Sequence, residues 1–178
     1  MTTPLDDQGR PDPEPSADEV RTLTQFLAFQ RATLAWKTDG LDDAGLAATL
    51  PPSTMTLGGM LGHLAWVEDY WFTTVLLGDE SAPRWRGTDW RADPDADWHV
   101  GLPGDEVRAL WREAVAASDA IVARVLAGPD GLDRLAVVAR HDRRVSLRWI
   151  LVHMIEEYAR HNGHADLLRE AIDGTTGE

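Results

Sequence analysis

No cysteine occurs among the 178 residues. That excludes disulfides, thiolate metal ligands and a cysteine nucleophile. A tightly bound metal must therefore use His and carboxylate, and any thiol chemistry needs a thiol from outside. Lysine is nearly absent as well: Lys37 is the only one, and every other residue in the Lys and Arg count is arginine. Positive charge as a whole is scarce, with 17 Lys and Arg against 30 Asp and Glu and a formal net charge of −13. Such a surface repels phosphate backbones and anionic lipids, which argues against nucleic-acid and membrane partners. No apolar run approaches the roughly 20 residues of a membrane span. The first residues, MTTPLDDQGRPDPEPSADE, lack the basic and apolar regions of a signal peptide. A cytoplasmic location is the resulting expectation.

What remains is an ordinary globular composition, 43% hydrophobic and 26% charged, with room for one core. Residues 1–16 are rich in Pro and Asp and read as a flexible or loosely docked arm. Residues 17–178 read as one domain. Four segments in it carry apolar residues at helical spacing. The first, about 17–39, has Val20, Leu23, Leu27 and Leu34 and stops at Gly40. The second, about 56–77, has Leu57, Met60, Leu61, Leu64, Trp71 and Val75 and stops at Gly78. The third, about 104–127, has Val107, Leu110, Trp111, Val122 and Leu126. The fourth, about 146–173, opens at Ser146 and carries Leu147, Ile150, Leu151, Met154, Tyr158 and Leu168. Four amphipathic helices predict an all-α four-helix bundle. Between the second and third lies a long irregular loop, 79–103, with Trp85, Trp90 and Trp98. A loop of this length is usually functional or poorly ordered, and three tryptophans favour a packed lid. Residues 135–145 contain a short β-prone run that suggests a small hairpin.

Three of the six histidines fall in the fourth segment, HMIEEYARHNGH. At about 100° per residue His161 points near the centre of its apolar stripe and Glu157 toward one edge. His153 and His164 lie farther out on that side, and Glu156 points to solvent. A glutamate on a core-facing stripe is expensive unless it is paired or bound to a metal. Glu157 and His161 are one helical turn apart, a spacing that clamps a metal from a single helix. His63, in the apolar second segment, would supply a third ligand and leave a position open for water or substrate. The alternative readings are a hydrogen-bonded core histidine and a Glu157 paired with arginine. His99 and His141 read as surface residues, and Glu68 as a structural acid.

The stretches GHLAWVEDYWF and VSLRWILVHMIEEYARHNGHADLLREAIDG resemble the DinB-like superfamily over residues 20–174. The resemblance implies a four-helix fold with a divalent metal, zinc or else nickel, held by one His of the second helix and two residues at i and i+4 of the last. Those positions are His63, Glu157 and His161 here. The Glu variant is similar to that of mycothiol-dependent maleylpyruvate isomerases, most nearly a branch found mainly in actinobacteria. His164 stands where many members have glutamine, and there is no appended second domain, so maleylpyruvate is not implied. The resemblance implies transfer or isomerisation with a low-molecular-weight thiol such as mycothiol on a small electrophile. In that reading His153 and His164 are acid–base candidates, and Arg84, Arg86 and Arg91 are candidates for binding a substrate carboxylate. The competing reading is a non-catalytic protein, either metal-binding or a stress-related binding protein that forms a homodimer.

Overall fold

The computed structural model describes residues 4–177; residues 1–3 of the arm and Glu178 lie outside them. The chain is all-α, the fold class of a helical bundle, with no strand among the described residues. Helix α1 spans Glu19–Thr38, α2 Asp43–Ala47, α3 Leu57–Glu68, α4 Gly104–Leu126 and α5 Leu147–Asp173. The periodicity locates all but α2 to within a residue or two. Helix α3 does not stop at Glu68, because Asp69–Leu77 continues it as π-helix. None of these helices is long and apolar enough to cross a membrane. Contacts divide the chain into two compact units, Met1–Leu57 with Leu151–Glu178, and Gly58–Ile150.

In the first unit α1 and the main part of α5 lie side by side and run in the same sense. Gln30 accepts from Asn162 Nδ2 through its backbone and side-chain oxygens, at 2.9 and 2.7 Å. One to two turns on, Lys37 Nζ meets Asp166 at 2.9 Å. Arg169 then donates to the carbonyls of Lys37 and Asp39, which the end of α1 leaves without helical partners. The arm is not loose over its described part. A tight loop closed by Asp6 and Arg10 buries the Arg10 guanidinium, which lies over Phe29 and Trp36 at 4.5 and 5.1 Å and donates to Thr33. Arginine stacks on aromatic faces and pairs with a carboxylate at the same time. That pairing lets a polar, Pro-rich segment dock.

In the second unit the α3 segment from Gly58, its π-helical continuation and α4 bury Met60, Leu61, Leu64, Phe72, Val75, Val107 and Trp111. The π-helical segment contacts α4. Gly78, at φ +74°, ends it. The next free carbonyls, Val75 and Leu76, accept from the amides of Val138 and Val137. The β-prone run 135–145 thus caps a helix end. It forms a narrow hairpin of isolated bridges, Leu135 with Ser146 and Arg140 with Arg143, turned by His141 and Asp142 at positive φ.

Candidate metal centre and its loop

Ser146 Oγ accepts from the Trp149 amide and caps the start of α5. From there the helix carries its polar row at fourfold spacing. Glu157 is half-buried and lies between two imidazoles, with His153 Nε2 at 3.4 Å and His161 Nε2 at 3.6 Å. His161 is buried. His164 follows on the same side, its ring centroid 5.6 Å from that of His161. Its Nδ1 is buried with no hydrogen-bond partner among the described residues. Burial, and then the nearby His161 and Arg160 charges, hold the His164 pKa below the ordinary histidine value. Glu156 points outward, as its angle predicts, and binds Arg160 Nε at 3.2 Å. His153, Glu156 and Glu157 by themselves could hold an ion, but Glu156 is the exposed, arginine-bound member of that set. The reverse face of α5 bears Asn162, Gly163 and Asp166, which line a separate cavity of about 340 Å³ with Arg10 and Trp36.

His63 sits on α3 under the tryptophan loop. Its Nδ1 lies 2.6 Å from Asp97 Oδ2, and the Trp98 ring stacks on it at 4.6 Å and 16°. Trp90 packs on Trp66, the next aromatic along α3, and Trp85 is buried. The loop can come this close because position 62 is glycine. A Cβ there would lie 2.6 Å from the Asp97 carbonyl oxygen and 2.7 Å from Val100. Sequence reading passes over Asp97, one of several acids in a loop of no regular period. A carboxylate beside a tryptophan in a loop joining two helices was its only signal.

The three loop arginines differ in what they touch. Arg84 donates to the Val100 carbonyl at 2.6 Å and lies over Trp85. Arg86 donates to the Ser81 carbonyl and pairs with Glu80. Both are engaged in holding the loop's own conformation. Arg91 is exposed. His99 is exposed and 3.4 Å from Asp93, in keeping with a surface role.

A family model described as mycothiol-S-transferase matches residues 22–174. The chain belongs to the mycothiol-S-transferase family. That family is part of the DinB-like superfamily, is metal-dependent and uses mycothiol as its thiol. No curated protein matches the sequence. Membership points to a mycothiol-S-transferase-like, metal-dependent function.

Proposed function

We propose that the chain is a metal-dependent S-transferase that joins a low-molecular-weight thiol, mycothiol or a close analogue, to a small electrophile. In this reading His63, Glu157 and His161 hold the ion. The observation that carries it is Glu157, a half-buried carboxylate set between imidazoles on a helix matched by the mycothiol-S-transferase model. The donor types fit a divalent ion: each of the three residues offers one ligand atom, and two imidazoles with one carboxylate make up a common catalytic zinc set that leaves a position open. Zinc is the ion proposed, with nickel the alternative that elemental analysis separates. When bound, such an ion is a Lewis acid that lowers the pKa of a thiol and makes it nucleophilic at neutral pH.

The chain's own residues do the rest. Glu157 supplies the one anionic charge of the set and is steadied from behind by His153. His164, whose charged form is disfavoured by burial, presents a neutral imidazole able to accept a proton beside His161. Trp98 covers the His63 ring, and Trp90 packs on Trp66 beside it. No internal cysteine competes for the ion or the electrophile. The acidic surface suits a small-molecule substrate in the cytoplasm better than a polyanion.

The test is elemental analysis of protein purified without chelators, followed by turnover of electrophiles with and without added thiol. Wild type and Glu156→Gln should carry about one equivalent of metal, and Glu157→Gln far less, because it keeps the shape and removes the anionic ligand. Turnover should require the thiol and follow the metal content. Equal metal in all three proteins would overturn the ligand assignment. Full metal without thiol-dependent turnover would leave a binding protein in place of an enzyme.

A further inference from the structure

Asp97 lies outside the proposed ligand set and reaches His63 from the 79–103 loop. Asp97 is 3% exposed, a carboxylate taken out of water with its Oδ2 against His63 Nδ1 at 2.6 Å. A neutral imidazole has one N–H and one lone pair. With a carboxylate at Nδ1 the proton belongs there, and Nε2 keeps the lone pair that a metal requires. Trp98, the next residue, lies flat on the same ring, so rotation of the imidazole would disturb both contacts together. Gly62 leaves the space through which the Asp97 backbone comes down onto α3. Packing alone would have been served at lower cost by an apolar residue, since a buried carboxylate is tolerated only where its partner compensates it.

Building on the reading that His63 is a ligand, we infer that Asp97 is a positioning residue. It fixes the His63 tautomer and ring plane for a divalent ion at Nε2, and it thereby couples seating of the 79–103 loop to occupancy of the ion. Carboxylates behind ligating histidines typically contribute 10- to 100-fold in metal affinity. Coupling of this kind is reciprocal. If the seated loop strengthens metal binding by some factor, bound metal strengthens loop seating by the same factor, and Trp98 on the ligand ring reports it.

The experiment is a zinc titration of the full-length metal-free chain against a competing chelator, with tryptophan emission and apo-protein melting recorded for each variant. Asp97→Ala should weaken zinc binding about 10- to 100-fold. Asp97→Asn, which can still accept from Nδ1–H but carries no charge, should fall between it and wild type. Zinc should change tryptophan emission in wild type and much less in Asp97→Ala. Imidazole ¹⁵N shifts of wild type should show His63 protonated at Nδ1. His99→Ala, an exposed change in the same loop, should titrate as wild type. His63→Ala should lose most of the affinity whatever happens at Asp97. Wild-type zinc affinity in both Asp97 variants, with His63→Ala impaired, would overturn the positioning role and leave the site standing. Wild-type affinity in His63→Ala would overturn the ligand assignment and the inference with it. Should Asp97→Ala melt too low to titrate, Asp97→Asn and the ¹⁵N shifts decide between the same outcomes.

Discussion

Gly62 shows how one missing methyl group sets the geometry above His63. The space that a Cβ would take is filled by the Asp97 carbonyl oxygen and Val100. Gly62→Ala should force the loop outward at a cost of roughly 1–3 kcal/mol, the usual range for overpacking. Urea unfolding would measure the loss, and a change in Trp98 emission would show that the loop is what moved; unchanged stability and emission would mean the backbone yields elsewhere. Glu157 and His161 were legible in the sequence because helical geometry alone turns both toward the apolar stripe, and Glu156 away from it. Asp97 was not, because its role depends on a tertiary approach that no local period encodes. Arg84 shows the converse. Its charge suggested a substrate carboxylate, but a backbone carbonyl within its own loop claims it.

At the scale of elements, α5 is defined by its ends as much as by its stripe. Ser146 was readable as its cap because a hydroxyl before an apolar run is a general start signal. Its C-terminal turn is closed by Asp173, which accepts from Arg169 and from the Thr175 amide. Those bonds, the Arg169 side chain first, lower the Asp173 pKa to about 2. A depressed carboxylate pKa adds stability above the unfolded value near 4, and that stability is lost as pH falls toward 2. Asp173→Asn should therefore be less stable than wild type at pH 7. The difference should shrink between about pH 4 and pH 2, as followed by thermal melts across that range. A gap independent of pH would show that the charge is not what matters. The π-helical segment Asp69–Leu77 was not foreseen, since side-chain pattern reports which face is buried and not which carbonyl each amide chooses. The bridges at 135–146 were only half foreseen: the β-prone residues were visible, the open helix carbonyls they satisfy were not.

For the molecule as a whole, the acidic balance and the absence of cysteine exclude more than they specify. The arm shows the limit of composition as a guide. Its Pro and Asp content reads as a flexible or loosely docked segment; Asp6 neutralises Arg10 and lets it lie buried on Phe29 and Trp36. Removing residues 1–13 takes away the cation, its carboxylate and its aromatic contacts together, without leaving an orphaned charge. That should cost roughly 1–3 kcal/mol, or a melting point lower by about 2–4 °C for each kcal/mol. A calorimetric melt of the truncated chain identical to that of the full chain would show that the arm adds no stability. The chain's single lysine is similarly enclosed. Lys37 is 1% exposed, paired with Asp166, bonded to the Thr176 carbonyl and set over Trp36. An amine-directed reagent or a conjugating enzyme therefore finds no side-chain amine on the folded surface. Acylation of Lys37 has to wait until α1 and the end of α5 separate, which makes its rate a clock for the opening of that helix pair.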